Sequence, residues 1–305
     1  MESRWLEDFL SLVDTRNFSR SAQIRYTTQP AFSRRIKSLE EWVGAQLFNR
    51  ATQPITLTQS GERFRPVAED VLRRLLQGRE EARRIGDLSA ITIRFAATHS
   101  LSLNFFPAWL RMIEMRSHTL NTRLDTSQFN DCIHLLQRGD CDFLISYIHP
   151  VIQMNLPTEF FTAKVVLQDK LVPVTLPDSE GNPVDRLPGT PDDPVQYLAY
   201  SESSAIGRVV DNMLANTDQP LHLKQVFVTH MAAVLKAMSS EGRGTAWLPE
   251  SHLTREFSDG TLVRAGDEGW HIPIDIYIFR SRDPLSDVVE ELWSLLPGDE
   301  VSKWG

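Results

Sequence analysis

The sequence predicts an α/β protein with a small helical domain at its N-terminus, and three observations support this fold class. Two short helical patterns joined by a tight connection in residues 17–50 are typical of a winged helix-turn-helix. A heptad of apolar residues indicates one long helix after it. Farther on, extended and helical segments alternate, as in α/β domains with a largely parallel sheet. We therefore expect three parts: a winged helix-turn-helix over 1–59, a linker helix and hinge over 60–90, and an α/β domain over 91–305.

Apolar spacing and capping residues predict the first helices. The apolar residues from Trp5 to Val13 recur at helical spacing, which predicts an amphipathic helix over 3–14. Ser19 is a suitable N-cap for a second helix that ends near Ile24. These two helices would support the helix that follows them.

A third helix is predicted to begin near Gln29 and to end at Gly44. Thr28 is placed to cap it, and Pro30 in the first turn gives up only an amide that has no partner inside the helix. One stripe of the helix is apolar and would pack on the first two helices: Phe32, Ile36, Leu39 and Val43.

A hairpin, or wing, is predicted after the third helix, because residues 47–50 and 55–58 are short extended segments on either side of a Gln-Pro pair. Gln and Arg side chains make bidentate contacts to purine edges, whereas hydroxyls and further basic groups hold phosphates. A solvated basic helix of some other α-domain is the alternative. The candidates for contact with double-stranded DNA are Thr28, Gln29, Ser33, Arg34 and Lys37 on the third helix and Arg50 on the wing.

The distribution of charge favours a DNA-binding N-terminus, although the net charge of the chain is −8. Residues 1–90 contain 15 Lys and Arg against 12 Asp and Glu, and residues 91–305 contain 17 against 28. Within 15–50 the ratio is seven to two. Positive charge is thus concentrated where a phosphate-facing surface is needed.

The motif TTQPAFSRRIKSLEEWVGAQLFNR, followed by ITLTQSG, resembles the N-terminal domain of LysR-type transcriptional regulators, and the resemblance covers residues 3–61. It implies that Gln29, Pro30, Ser33 and Arg34 meet the major groove and that Arg50 meets the DNA backbone near the wing. The resemblance also implies a cytoplasmic regulator that binds operator DNA, with RNA polymerase as a possible further partner.

The long helix, predicted over 60–85, has apolar residues at heptad spacing, which is a seam for pairing with a second helix. Packing on its own domain is the alternative. The family resemblance implies that the protein forms a dimer through this helix, or a dimer of dimers. The seam consists of Phe64, Ala68, Val71, Leu75, Gly78, Ala82 and Ile85.

The C-terminal part is expected to form two lobes, and its order of strands and helices resembles the periplasmic-binding-protein-like (type 2) effector domain of the same family. Lobe I would contain 91–164 and 269–305, and lobe II would contain 165–268. Within lobe I, residues 101–115 are predicted to form one helix.

Ligands of α/β lobes bind beyond the C-terminal ends of strands, near helix N-termini. Each hydroxyl alone is better explained as a helix cap. The set of polar residues at such positions nevertheless predicts a site for a small polar or anionic effector. Arg208 is placed to pair with an anionic effector or with a surface acid. The candidate effector-binding residues are Thr98, His99, Ser100, Ser102, Ser127, Ser146, Ser201, Ser203, Ser204, His230 and Trp247.

Other function classes receive less support from the sequence. No G-x-S-x-G, H-E-x-x-H or phosphate-loop motif occurs, so we expect no enzyme, no cofactor and no metal site. No apolar run reaches the roughly 18 residues of a membrane helix, and the acidic N-terminus is unlike a signal peptide, which favours a cytosolic location. An architectural DNA-binding protein with a vestigial C-terminal half is a further alternative.

A redox-responsive regulator is the main alternative within the family. AATHSLSLNFFP and GTAWLPE are similar to segments of the subgroup that contains hypochlorite-responsive regulators. Cys132 and Cys141 are either two buried thiols or a redox pair, and methionine oxidation is a second route. In this alternative, Cys or Met oxidation would replace the ligand.

Overall fold

The computed structural model of the protein describes residues 2–86, 92–152, 154, 156–301 and 304. These residues form two compact units, one N-terminal and one C-terminal. The described N-terminal elements are α1 (Ser3–Thr15), α2 (Phe18–Ile24), α3 (Gln29–Val43), β1 (Phe48–Asn49), β2 (Thr56–Leu57) and α4 (Gln59–Gly86).

The first three helices have the predicted order and share one core. The predicted apolar stripe of α3 is confirmed, because Phe32, Ile36 and Leu39 are fully buried, together with Phe9 and Leu12 of α1. The wing is also confirmed, since β1 pairs antiparallel with β2. The helix-turn-helix and its wing are therefore fixed by the apolar side chains that the sequence pattern selects.

The residue that ends α3 is the predicted one, whereas the residue that caps α2 is not. Gly44 ends α3 in the left-handed conformation, with φ of 79°. The N-cap of α2 is Asn17, whose side chain accepts a hydrogen bond from the Arg20 amide, so the prediction of Ser19 as cap was wrong. Asn and Ser are equally good caps, and Asn17 is the residue with the extended backbone that a cap requires.

A buried carboxylate joins the three helices of this unit. Asp8 of α1 is fully buried and accepts hydrogen bonds from Arg25 Nε at 3.0 Å and Arg35 Nε at 2.5 Å. Arg25 also pairs with Glu7. Because Arg25 follows α2 and Arg35 belongs to α3, one carboxylate fixes both helices against α1.

The predicted heptad of α4 divides into two parts. Phe64 packs edge-on against Phe9 at 5.4 Å and Ala68 is buried, so this part of the stripe packs on its own unit. Val71 and Leu75 are 40% and 53% exposed, and Gly78 is also exposed. The side chains of Ala82 and Ile85 lie outside the described residues.

The described C-terminal elements surround one large core. The strands are β3 (Ile93–Thr98), β4 (Thr122–Ser127), β5 (Phe143–Ile148), β6 (Phe161–Thr175), β7 (Val195–Tyr200), β8 (Leu223–Thr229), β9 (Ala246–Pro249), β10 (Val263–Arg264), β11 (Ile272–Ser281) and β12 (Glu300–Val301). The α-helices are α5 (His99–Asn104), α6 (Phe106–Glu114), α7 (Phe129–Gln137), α8 (Ala205–Asn216), α9 (Ala232–Ser240), α10 (Thr254–Asp259) and α11 (Asp287–Leu295), and Glu250–His252 is a short 3₁₀ helix.

The described C-terminal strands form one mixed sheet of eight strands and a separate sheet of β7 and β8, so the expectation of a largely parallel sheet was wrong. Among the described strands, β3 is parallel to β4 and β5, and β7 is parallel to β8. The long strands β6 and β11 pair antiparallel with each other and with their further neighbours. We call the β3–β4–β5 region the β3 end and the β7–β8 region the β7 end.

The predicted helix over 101–115 is two helices. The chain leaves α5 at Phe105 and begins α6 at Phe106, with Pro107 in the first turn of α6. Proline lacks an amide hydrogen and clashes with the preceding helical turn, so a continuous helix would be broken here. The interruption leaves α5 as a short helix directly after β3.

Replacing Asp8 tests the buried charge cluster. Asp8→Ala leaves Arg25 and Arg35 without their shared carboxylate, so we expect the free energy of unfolding of the N-terminal unit to fall by about 3 kcal/mol. Glu41→Ala is the control, because the Lys37–Glu41 pair is exposed and such pairs contribute at most about 1 kcal/mol. Urea unfolding followed by circular dichroism measures both, and equal effects of the two substitutions would contradict the proposed role of Asp8.

Candidate functional site

The outward face of α3 presents the residue types that read DNA. Thr28, Gln29, Pro30, Arg34 and Lys37 are exposed. Ser33 is half-buried on the same helix. Thr28 is at the N-cap position without using its side chain for capping, which leaves the hydroxyl available to a phosphate. The apolar stripe and the exposed residues thus occupy different faces of one helix.

The basic residues of this unit have two different roles. Arg25 and Arg35 are held by the buried Asp8 and stabilise the fold. Within the described part of the chain, the one hydrogen bond of the Arg34 side chain is a 3.4 Å contact to the Pro30 carbonyl, and Lys37 faces Glu41 across 3.6 Å in solvent. Arg34 and Lys37 therefore retain side chains that can turn toward a ligand at low cost.

Glu40 connects the wing to α3. One of its carboxylate oxygens accepts hydrogen bonds from the Leu47 amide at 2.9 Å and the Phe48 amide at 3.2 Å. The other accepts from Arg50 Nη2 at 2.7 Å. The Arg50 guanidinium also lies 5.5 Å from the Phe18 ring, and its side chain is 45% exposed. Arg50 is thus fixed at the base of the wing with about half of its surface open to solvent.

The C-terminal unit contains a cleft lined by hydroxyl and imidazole groups, here called the polar cleft. Its cavity volume is about 80 Å³, whereas one water needs roughly 10–15 Å³ on the same measure. Eight of the predicted effector residues line it: Thr98, His99, Ser100, Ser127, Ser146, Ser203, Ser204 and His230.

The topology explains why these residues meet. Thr98, Ser127 and Ser146 lie at the C-terminal ends of β3, β4 and β5, and Ser203 and His230 follow β7 and β8. Parallel strands place such ends along one edge of their sheet. The edge formed by β3, β4 and β5 and the edge of the separate β7–β8 sheet both border the cavity, so residues distant in sequence converge. At the rim, the His99 and His230 rings face each other from the two ends, with centroids 6.3 Å apart.

A close approach at Gly207 places α8 against β7. A Cβ atom at Gly207 would lie 2.7 Å from the Tyr200 Cβ and 2.9 Å from the Ser201 carbonyl oxygen. Glycine therefore permits the first turn of α8 to lie on the end of β7, beside the cleft. Ser204 caps this helix by accepting a hydrogen bond from the Gly207 amide at 3.2 Å.

Several other cleft hydroxyls already have hydrogen-bond partners within the protein. Ser127 donates to Asp131 at 3.0 Å, Ser146 donates to the Tyr147 carbonyl at 3.2 Å, and Ser203 hydrogen-bonds Ser201 at 3.0 Å. Ser100 differs, because its buried hydroxyl makes no hydrogen bond of normal geometry among the described residues, although it lies close enough to the Tyr147 hydroxyl to act on that group.

Three predicted effector residues do not line the polar cleft. Ser102 turns back and donates to the His99 carbonyl at 3.0 Å, and Ser201 contacts Ser203 behind the lining. The placement of Trp247 in the site is corrected, because its ring is fully buried in the core and its Nε1 donates to the Trp270 carbonyl at 3.0 Å. Arg208 is also outside the lining, with its guanidinium 5.9 Å from the Phe129 ring.

Two tyrosines of the cleft were missed in the sequence. Tyr147 lies one residue before the end of β5 and Tyr200 ends β7, and both are buried and line the cleft. Tyr147 shares a 3.0 Å hydrogen bond with His252 Nε2, and burial raises the pKa of Tyr147 well above its ordinary value. Their positions near the C-terminal ends of strands could have indicated the cleft. Tyrosine in an apolar strand is, however, normally assigned to the hydrophobic core.

The described residues give little support to a cysteine switch. Cys132 and Cys141 are both buried and form no disulfide, and burial raises the pKa of the Cys132 thiol to about 11. The thiolate is the reactive form, so a buried thiol of this kind resists oxidation. Among the described residues, no group of three or more His, Cys, Asp or Glu is placed to hold a metal ion. None of the described helices is both long and apolar enough to cross a membrane.

Two family models match the chain. Residues 3–62 match the bacterial regulatory helix-turn-helix protein, lysR family, and residues 86–298 match the LysR substrate binding domain. The chain is 32% identical over 301 residues to the transcriptional regulator YjiE of Escherichia coli K12. The aligned region covers 99% of this chain and 96% of YjiE.

Two solved structures resemble almost the whole chain. Vibrio fischeri DarR in complex with DNA has a TM-score of 0.59 and 29% identity, covering 97% of this chain and 98% of DarR. Full-length HypT of Salmonella typhimurium, a hypochlorite-specific LysR-type regulator, has a TM-score of 0.58 and 32% identity, covering 97% of each chain.

These findings define a DNA-binding transcriptional regulator that has a winged helix-turn-helix and an effector-binding domain. The chain belongs to the LysR family, and its relatives include the subgroup of HypT. The ligand-responsive form of the function is favoured over the redox alternative, because the polar cleft is present and the cysteines are buried.

The buried His252 predicts a pH dependence of stability. Burial, and next the charge of Lys236, lower the pKa of His252 to about 3, whereas an unfolded chain binds this proton near pH 6.5. The contribution of His252 to the free energy of unfolding is therefore fully present above about pH 6.5. As the pH drops from there toward about 3, the free energy of unfolding falls by about 1.4 kcal/mol per pH unit.

His252→Gln isolates this contribution, because glutamine keeps an acceptor for the Tyr147 hydroxyl but does not titrate. Urea unfolding of the full chain at pH 7, 6 and 5 measures it. We expect the wild type to lose about 2 kcal/mol more than the variant between pH 7 and 5. Parallel pH profiles would contradict the assignment.

Proposed function

We propose that two copies of this regulator place their α3 helices in the major grooves of two operator half-sites. The observation that carries this proposal is the separation of faces on α3, with a fully buried apolar stripe and exposed Gln29, Arg34 and Lys37. Gln29 and Arg34 would read base edges, and Pro30 and Ser33 would lie against the groove. Thr28, Lys37 and the half-exposed Arg50 would hold phosphates.

The exposed apolar stripe of α4 supports pairing of two copies. Val67, Val71 and Leu75 recur every four residues and are 53%, 40% and 53% exposed. Three large aliphatic side chains on one helical face lose contact with water when a second copy covers them. Two recognition helices on one dimer match the two half-sites of a pseudo-palindromic operator. A dimer of dimers is the larger assembly that we propose for the intact regulator.

We also propose that the polar cleft binds a small polar or anionic effector. Its support is the convergence of eight predicted residues on one cavity, at the C-terminal ends of two sets of parallel strands. Effector binding would favour one arrangement of the β3 end relative to the β7 end of the C-terminal unit. This would change how the DNA-binding units contact the promoter.

The remaining parts of the proposal follow from the class of protein. The domain limits 1–59, 60–90 and 91–305, with lobes that meet near 165 and 268, are supported by the family matches and by the long strands β6 and β11. Operator DNA is the partner, so we propose that the protein acts in the cytoplasm. RNA polymerase is a proposed further partner, by analogy with the activation mechanism described for DarR.

The recognition helix is tested by Arg34→Ala. We expect operator affinity to fall by about 1–3 kcal/mol and base preference to relax, because a bidentate base contact is lost. Arg63→Ala removes the same charge from an exposed position on α4 and should leave base preference unchanged. Fluorescence anisotropy with operator variants measures both. An Arg34→Ala protein with wild-type affinity and preference would contradict the assignment of α3.

The dimer is tested by Leu75→Asp. A carboxylate on the exposed stripe of α4 should convert the dimer to monomers, because two charges would be buried at the seam. Met115→Asp is the control, since Met115 is 82% exposed but lies on the C-terminal unit. Sedimentation of the full chain at matched concentrations measures the state. An unchanged oligomer in Leu75→Asp would contradict pairing through α4.

A further inference from the structure

The turn between α2 and α3 has a tyrosine at a position where helices usually end with glycine. Tyr26 has a φ of 48°, in the left-handed region. Its amide donates to the Gln23 carbonyl at 3.0 Å, and the Thr27 amide donates to the Ala22 carbonyl at 2.9 Å. These two bonds form a Schellman motif, whose left-handed residue is usually glycine because a Cβ atom is crowded by the backbone there. Tyrosine therefore strains the backbone at a position where glycine would not.

The Tyr26 side chain does not stabilise the fold enough to offset this strain. The residue is 99% exposed, so its ring makes almost no contact with the rest of the unit. Hydrophobic stabilisation is proportional to the apolar area removed from water, and for this ring that area is close to zero. The aromatic ring and its hydroxyl are thus available to a partner outside the chain.

Two other residues of this unit show that neither exposure nor a left-handed backbone is enough alone. Trp42 is an aromatic residue that is 56% exposed, but it lies within the regular helix α3, and single exposed apolar residues are common. Arg16 has a φ of 52°, but its carbonyl accepts a hydrogen bond from the Ile55 amide at 3.3 Å, so its conformation connects α1 to the wing. Among the described residues, Tyr26 is the one that combines an exposed aromatic ring with a strained backbone.

The backbone on both sides of Tyr26 is fixed. Arg25, the preceding residue, donates to the buried Asp8 carboxylate at 3.0 Å. Thr28, two residues later, is the N-cap of α3, and its carbonyl accepts a hydrogen bond from the Phe32 amide at 2.9 Å. A partner of Tyr26 therefore meets a turn that is already ordered, which lowers the entropic cost of binding.

The position of Tyr26 in the motif indicates which part of DNA it would meet. In a helix-turn-helix, the N-terminal residues of the second helix contact base edges, while the first helix crosses the DNA backbone. The turn between the two helices therefore passes from the backbone to the groove. Tyr26 lies in this turn, between the end of α2 at Ile24 and the start of α3 at Gln29. The nearest DNA groups are thus the phosphates at the edge of the major groove.

The charge near the turn favours a phosphate as well. Residues 15–39 contain six Arg and Lys and no Asp or Glu. Arg20 on α2 and Arg34 on α3 are both exposed, one on each side of the turn. Tyrosine hydroxyls are among the groups that donate to DNA phosphates, and a hydrogen bond to a charged acceptor is stronger than one to a neutral acceptor. The Tyr26 hydroxyl can therefore add an uncharged donor to a basic surface.

We propose that the Tyr26 hydroxyl donates a hydrogen bond to a DNA phosphate at the edge of the major groove, once in each half-site of the operator. This inference rests on the proposed placement of α3 in the major groove. It adds a contact that positions the start of α3 on the DNA backbone, whereas Gln29 and Arg34 read the bases.

The test uses the full-length protein and a DNA duplex that the wild type selects from a random-sequence library. Tyr26→Phe removes the hydroxyl alone, whereas Tyr26→Gly removes the ring and also relieves the strained backbone. Trp42→Ala is the matched control, because it removes an exposed aromatic ring from the far end of α3, about 20 Å from Gln29 at the helical rise of about 1.5 Å per residue. Fluorescence anisotropy measures affinity for the intact duplex and for duplexes in which single phosphates are replaced by uncharged methylphosphonate. Thermal unfolding of the same proteins measures Tm.

We expect Tyr26→Phe and Tyr26→Gly to weaken binding by about tenfold, as expected for a lost hydrogen bond to a charged group. The loss should be equal across base substitutions, because a phosphate contact carries no base preference. Tyr26→Gly should nevertheless have a Tm no lower than that of the wild type, since glycine suits the left-handed position.

The methylphosphonate duplexes locate the contact. At one phosphate in each half-site, the replacement should weaken binding of the wild type but not of Tyr26→Phe, as expected when two changes remove the same interaction. Trp42→Ala should change affinity by less than about twofold and should keep the wild-type response at that phosphate.

The inference is overturned if Tyr26→Phe binds like the wild type, because the ring would then act without its hydroxyl. It is also overturned if Tyr26→Gly has a lower Tm than the wild type, which would show that the ring stabilises the fold, or if no phosphate replacement distinguishes Tyr26→Phe from the wild type. Arg34→Ala is measured on the same duplex. Affinity that depends on Arg34 but not on Tyr26 overturns this inference and leaves the placement of α3 intact, whereas affinity that depends on neither residue overturns both.

Discussion

The pairing of β6 with β11 is the constraint on which the C-terminal unit depends. Ile272 pairs with Leu171 and Ser281 with Phe161, so one antiparallel ladder extends along the whole of β11. β5 joins the sheet through β11, and β9, β10 and β12 join through β6. The four alternating isoleucines of β11 are nearly or fully buried, which fixes the register, because a slip of one residue would turn all of them outward. The ends of β3, β4 and β5 at the polar cleft are held in place through this ladder, whereas β7 and β8 form a separate sheet of their own.

Buried carboxylates play the corresponding role in the N-terminal unit, and they decide which basic groups remain for DNA. Asp8 holds Arg25 and Arg35, and Glu40 holds Arg50 together with two wing amides. Part of the local excess of positive charge is therefore paired with carboxylates inside the unit. Fewer basic side chains remain to contact DNA than the composition implies. Breaking either carboxylate cluster would leave buried charge uncompensated, so the recognition surface and the stability of the unit are linked through the same residues.

The sequence was sufficient where one strong local pattern determines the structure. Apolar spacing and helix-terminating residues predicted α1, α3 and the wing, and helix starts and strand ends predicted eight residues of the cleft. It was insufficient where local choices are nearly equal in energy or where partners are distant. Asn17 and Ser19 are comparable caps, and Trp247 and Tyr200 both occupy apolar strands, although one lies in the core and the other at the cleft. The antiparallel role of β6 and β11 depends on residues about 100 positions apart, which no local pattern reveals.

The central claim is that occupation of the polar cleft and binding of operator DNA are energetically coupled. Coupling between two sites is reciprocal, so an effector that changes operator affinity by some factor must have its own affinity changed by operator by the same factor. The most direct measurement is therefore a pair of titrations: operator with and without saturating effector, and effector with and without saturating operator. We expect two equal factors that differ from one. Factors of one in both titrations would show a cleft that binds without regulating and would contradict the account.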